Sequence, residues 1–193
     1  VFTGPAIAAF AGFAVLGTFT AVAPSFLAKV IGIDNHAAAG ALVAVLLASS
    51  ATIQILGRHA PTGAALITGC ATLVVGVAVL AWSLAAASLT LMIVGAVIAG
   101  AGQGISFSKG MAAVVAASPP DRRAEVTSTY FVVAYIALSV PIIGQGIAAA
   151  QWGLVTAGIA FDVGVGVLCA VAMVLIAVAL RRGRTAGRDS ATS

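Results

Sequence analysis

Charge is what this sequence has least of. Only 7% of its 193 residues are Asp, Glu, Lys or Arg, where an ordinary soluble domain carries about 25%. A solvated outer shell cannot be built from so few, and a soluble globular protein is excluded. Aromatic residues are sparse at 6%, cysteines number two and acidic residues five. No Cys cluster of metal-ligand spacing is present, so neither a metal nor another cofactor is expected. What abounds is apolar: 62% of the chain is hydrophobic and its mean hydropathy is +1.19. The 22 glycines are scattered through apolar runs without a triplet repeat, which excludes collagen and low-complexity disorder. The bilayer is therefore the solvent. A net charge of +4 does not point to nucleic acid, because most of the nine Lys and Arg sit at the ends of apolar runs.

A helix needs about 20 mostly apolar residues to cross the hydrocarbon core, so locating the charges counts the spans. Charge-free stretches run over Val1–Ala28, Asn35–Gly57, His59–Ser108, Val126–Phe161 and Val163–Leu180. The third is too long for one helix and divides at Ala86-Ala87-Ser88, which leaves Lys109 inside the second piece. The last two divide better at Gln151-Trp152-Gly153 than at Asp162. The expected spans are about Gly4–Ala28, Ala37–Leu56, Thr62–Leu84, Leu89–Ala117, Ala124–Ala150 and Leu154–Leu180. These runs are too long, and alternate too little, for the strands of a lipid-facing barrel. The fold expected is all-α, a polytopic bundle of six transmembrane helices with short loops. Pro61 suits a helix start, where a missing N–H costs nothing. Ser118-Pro119-Pro120-Asp121 stops the fourth helix and offers Asp121 as a cap for the fifth.

Lys and Arg concentrate in cytoplasmic loops. Arg58, Arg122, Arg123, Arg181, Arg182, Arg184 and Arg188 fall on the side of the two termini, and only Lys29 lies in a loop on the other. Both termini are therefore expected in the cytoplasm, in a plasma or inner membrane, with Asp34 and His36 outside and residues 182–193 as an unstructured tail. The chain opens directly into a span with no signal-peptide pattern, and a longer parent chain is expected. Cys70 and Cys169 sit inside spans and read as small apolar side chains.

Polar residues inside spans are the functional pointers, since a charge at the bilayer centre costs at least about 2.5–3.5 kcal/mol. Lys109 is expected in the inner third of the fourth helix, either snorkelling to the headgroups or contributing to a solute path. Gln103 falls near mid-membrane and Gln145 in the outer half of the fifth helix. Each amide suits either a cavity contact or a bond between helices, and Gln103 is favoured for the cavity. Ser106 and Tyr135 complete the path candidates. Asp162, about 12 Å into the sixth helix by helical rise, reads as interfacial and as too far from Lys109 to pair with it. Tyr130, Trp82 and Trp152 read as interface anchors. Gly100, Gly102 and Gly104 let another backbone approach closely, Pro141 bends the fifth helix, and Gly144 and Gly146 add close-packing positions.

Gly95–Gly104 (GAVIAGAGQG), Phe107-Ser108-Lys109-Gly110, the loop Ser118–Glu125 (SPPDRRAE) and Val140–Gly146 (VPIIGQG) occur in an order that resembles the major facilitator superfamily. Gly57-Arg58-His59-Ala60-Pro61 resembles that family's loop between second and third helices, without the Asp and paired basic residues of its strong N-half form. The departure and the basic tail make the chain similar to the C-terminal six-helix half. The first segment, from Gly17 through Pro24 to Gly40, resembles bacterial exporters of the family. The resemblance covers nearly the whole chain, but no motif identifies a substrate. It implies a 3+3 inverted repeat and alternating access. Its solute would be a small organic molecule, with export slightly favoured. The partners implied are the lipid bilayer and an N-terminal six-helix half, supplied by the same chain, a separate subunit or a second copy. It also implies that the first, second, fourth and fifth helices line the path while the third and sixth support it.

An enzyme is not expected. Gly104-Ile105-Ser106-Phe107 lacks the closing Gly of a nucleophile turn, both histidines lie in loops, and there is no His-Glu-x-x-His or P-loop. A six-helix channel has no filter-like broken hairpin in its favour. A non-transporting membrane subunit or scaffold stays open as the alternative.

Overall fold

In hydrocarbon each backbone N–H and C=O must be satisfied inside its own segment, and long apolar runs solve this by becoming helices. The computed structural model, which describes the backbone of residues 3–189 and the side chains of residues 4–181, contains six such helices: α1 (Thr3–Phe26), α2 (His36–Leu56), α3 (Thr62–Ala85), α4 (Leu89–Ala116), α5 (Arg123–Trp152) and α6 (Leu154–Asp189). All six are long and apolar enough to cross a membrane, and no strand occurs among the described residues. The observed ends lie within a few residues of those read from the charges, except at the last. There α6 continues past Leu180 to Asp189, so residues 182–189, expected in an unstructured tail, prolong the helix. The rest of that tail, residues 190–193, lies outside the described residues.

Each break has a local cause. After Pro24 the last turns of α1 widen into a π-helical turn, Leu27–Ile31, which Gly32 ends at φ +81°. Asn35 then caps α2 by accepting from the Ala37 and Ala38 N–H groups. The expected break at Ala86-Ala87-Ser88 is a tight turn in which Ala87 adopts φ +49° and the Ser88 hydroxyl accepts from Leu91 N–H. Gly153, at φ +83°, separates α5 from α6. Asp121 does not cap α5, contrary to expectation. It lies within a 3-10 turn, Pro120–Arg122, that leads into the helix without a side-chain cap. An exposed Arg122–Glu125 ion pair bridges the first turn instead.

Packing is set by where small residues let backbones meet, since lipid offers no hydrophobic drive for helices to associate. α4 runs between α2 and α3 and also touches α1. Toward α3, a Cβ on Gly76 would lie 2.6 Å from the backbone of Ala99, and one on Gly102 would lie 2.6 Å from Leu73 N. Toward α2, Cβ atoms on Gly100 and Gly104 would collide with the carbonyl oxygens of Leu46 and Ser50. α1 packs on α4, α5 and α6, and meets α5 where Gly17 lies against the Leu138 carbonyl. α6 runs along α3. The main core gathers Phe19, Phe26, Leu46, Leu73, Leu80 and Met92 among others from α1 to α4, with Val165 and Cys169 of α6. A smaller cluster forms where Ala8, Leu66, Cys70, Ala172 and Ile176 meet.

Burial is uneven among the spans. α1 is the most enclosed, with 61% of its span buried, and α2 the least, with 17%. α5 buries one stripe, Tyr130, Ala134, Ala137, Pro141, Gln145 and Ala148, at spacings of three or four. The rest of its surface, including Val132, Ile136 and Ile143, is exposed. On α2 the exposed face carries the small residues Gly40, Ala41, Ala44, Ala48 and Ala51 together with Leu47, Ile55 and Leu56.

Candidate functional site

The polar side chains within the spans fall into three separate places. The first is mid-bundle. Gln103 lies halfway along α4 and is 4% exposed. The Ser50 hydroxyl on α2 donates to its Oε1 at 2.6 Å, and the Gln54 amide, one turn along α2, donates to the Ser50 oxygen at 3.1 Å. On the other side Gly12 of α1 lets the Gln103 Cγ approach to 3.4 Å of where a Cβ would stand. Gln103 thus joins α2 to α4 beneath α1, the second of the two roles its amide allowed. In this conformation it faces no open cavity. Ser106, one turn on, is fully buried with its hydroxyl against Gly69 and beside the Cys70 thiol of α3.

The second place is the end of α4 nearest the α2–α3 loop. Lys109 is 8% exposed, and its Nζ donates to the carbonyl oxygens of Arg58 at 3.0 Å and Ala60 at 2.8 Å. These carbonyls follow the C-terminus of α2, where the unpaired C=O groups of the last turn carry partial negative charge. Lys109 is therefore neither free in a headgroup layer nor directed into a path: it holds the α2–α3 loop against α4. Arg58 itself is exposed, and its Nε donates to Nε2 of His59 at 2.9 Å. Arg122 and Arg123 are exposed in the α4–α5 connection. Tyr130, expected as an interface anchor, is buried instead. Its hydroxyl donates to the Phe107 carbonyl at 2.9 Å, in a cluster where Phe13 and Phe107 meet edge to face at 5.1 Å.

The third place is the seam of α5 with α6. Gln145 is 1% exposed, and both amide atoms lack a partner among the described residues. Asp162, expected at the interface, is 4% exposed and enclosed by the bundle. Gly144 packs on Phe161, whereas Gly146 has open space around it and belongs to no seam, contrary to expectation. Pro141 is buried within an otherwise continuous α5. Tyr135 stands 67% exposed on the open face of the same helix, away from Gln103 and Lys109. Trp82 and Trp152 are exposed in the last turns of α3 and α5.

Gln103, Lys109, Gln145, Ser106 and Tyr135 are thus not convergent on one chamber. Ser50 and Gln54 were not singled out by the sequence reading. Their spacing of four puts them on one helix face, the signal by which they could have been found. Thr18, buried on α1 with an unpaired hydroxyl, was passed over as well. Among the described residues no group of three metal-binding side chains occurs. The cavities found between helices are lined mainly by apolar side chains. The one between α1, α5 and α6, of about 350 Å³, runs past Phe10, Pro141, Phe161 and Val165.

Six apolar helices with polar side chains turned inward and apolar ones outward define a multi-pass α-helical membrane protein. No family model matches the chain, and no curated protein is similar to it.

Proposed function

We propose that this chain is one six-helix half of a secondary transporter of the major facilitator type, moving a small organic solute by alternating access. The observation that carries the reading is the pattern of helix contacts. α1 packs on α5 and α6 as α4 packs on α2 and α3, while α1 meets α4 and α3 meets α6. Exchanging the first three helices for the last three carries these contacts onto one another, as a 3+3 repeat would, although the α5–α6 seam has no comparable counterpart between α2 and α3. The broad exposed faces of α2 and α5 supply further support, because a second six-helix bundle has to pack on something. It would come from the same chain, a separate subunit or a second copy. With the arginines on the side of the termini, both ends are cytoplasmic and the membrane is the plasma or inner membrane. Export is slightly favoured by the likeness of the first segment to exporters.

A non-transporting membrane subunit is the second reading, favoured by one observation: Gln103, Ser106 and Gln145 all face neighbouring helices rather than an open chamber. Two measurements separate the two. The intact mass of the native gene product, set against the 18.8 kDa of this chain, should be roughly double or should double on association. Vesicles holding that product should then show counterflow of labelled organic solutes into preloaded lumens, which a carrier performs and a scaffold does not. An unassociated product of this chain's mass without counterflow overturns the transporter reading.

A further inference from the structure

Among the described residues, Asp162 is the one acidic side chain enclosed by the bundle, and no counter-charge accompanies it. α6 runs along α3 with Gly158 against Leu84 and Gly166 against Val77. Asp162 lies midway between these two glycines at helical spacing and so faces the same seam, 4% exposed. Among the described residues, no charged side chain of the helices packed on α6 lies near Asp162. The described α1 and α3 contain no charged residue, and their titratable group is Cys70. On α5, Arg123 and Glu125 sit at the end remote from Gln145, with Tyr130 and Tyr135 at least two turns from it. Along α6 itself, Cys169 is two turns further on and Arg181 lies near the other end. A carboxylate held here would have neither water nor a cation, and the group neutralises instead.

The second observation is Gln145. Its amide is fully enclosed and unpaired, and its Nε2 lies 3.8 Å from where a Cβ on Gly158 would sit, one turn of α6 before Asp162. An unsatisfied donor and an unsatisfied acceptor thus lie within about one helical turn of a buried carboxyl. We propose that Asp162 is a proton-binding site, and that in its protonated form it pairs with the Gln145 amide across the α5–α6 seam. The balance is simple: a carboxylate and a proton give a carboxylic acid. Its O–H donates to Gln145 Oε1, while Gln145 Nε2 donates to the remaining carboxyl oxygen. Both partners are used and no charge is left buried. Pro141, one turn before Gln145, lacks the N–H that would bond the Ala137 carbonyl. The segment carrying Gln145 is thereby one backbone hydrogen bond short. The inference rests on the surroundings of Asp162, independently of the transporter reading.

Infrared difference spectroscopy of the chain in lipid nanodiscs tests it, using Asp162→Asn and Gln145→Leu. The other carboxyl side chains, Asp34, Asp121, Glu125 and Asp189, are the same in the wild type and both variants, so a difference between them reports on Asp162. The wild type should show a protonated-carboxyl absorption at neutral pH that Asp162→Asn abolishes. Gln145→Leu should move the absorption to higher frequency, as a carboxyl without a hydrogen-bond partner requires. Protection of Cys70 and Cys169 from thiol reagents reports whether each variant is folded. No protonated carboxyl at neutral pH in the folded wild type overturns the proposal. An absorption unmoved by Gln145→Leu in folded protein overturns the pairing.

Discussion

The two ends of the Gly100–Gly146 interval should respond in opposite directions to the same substitution. At Gly100 a Cβ would fall on the Leu46 carbonyl oxygen, and at Gly104 on that of Ser50. Carbon and oxygen do not normally approach closer than about 3.3 Å even in weak hydrogen bonds, so α2 must move outward. That costs α2 its packing on α4, its principal neighbour among the described residues. Overpacking of this kind costs about 1–3 kcal/mol, while replacing a helical Gly by Ala returns up to about 1 kcal/mol. The net expectation for Gly100→Ala or Gly104→Ala is a loss of about 1–2 kcal/mol. At Gly146, exposed with no atom within 4 Å, only the propensity term remains, and Gly146→Ala should be neutral or stabilising by up to about 1 kcal/mol. The protein carries its own reporter, since Cys70 and Cys169 are free and fully buried. A fluorogenic maleimide that reacts as they become accessible on heating gives a midpoint. At about 2–4 °C per kcal/mol in a chain of this size, Gly100→Ala should lower it by about 2–8 °C. A midpoint at or above that of Gly146→Ala would refute the α2–α4 contact as described.

Lys109→Met should free the α2–α3 loop, because each charge-assisted bond to the Arg58 and Ala60 carbonyls is worth about 1.5–3 kcal/mol. Trypsin added to the face bearing Arg58 should then cut there faster, and an unchanged rate would mean the loop is held by something else. Ser50→Ala leaves Gln103 Oε1 buried without its donor and should cost about 1–3 kcal/mol. In a double-mutant cycle with Gln103→Leu the coupling should be of order 1 kcal/mol. Additive losses would show that the 2.6 Å bond between Ser50 and Gln103 is not made.

Much of the fold was legible because lipid makes helix boundaries a matter of one-dimensional chemistry. A charge, a Pro or a Gly in an apolar run has few places to go, and the turns at Ala86-Ala87-Ser88 and at Gly153 fell where those residues interrupt the runs. The Gly100 and Gly104 seam was also readable, since removing side chains at spacing of four leaves a groove whatever fills it. What the sequence could not supply was the partner of each polar group. Gln103 has the same amide whether it faces solute or Ser50, and only the placement of α2 against α4 chose the latter. The depth of a residue along its helix did not reveal which way it faced. Asp162 and Tyr130 lie near helix ends by count, yet the packing of α6 on α3 and of α5 on α4 turned both inward. Conversely Gly146, two residues from Gly144, was rotated into the open while Gly144 met Phe161. The sequence alone determined the solvent, the number of spans and, except at the end of α6, their approximate limits, because these follow from local hydropathy and backbone chemistry. Only the tertiary structure decided that Lys109 closes a loop, that Ser50 satisfies Gln103 and that Asp162 is enclosed without a charge. Such facts depend on the rotation and neighbours of each helix.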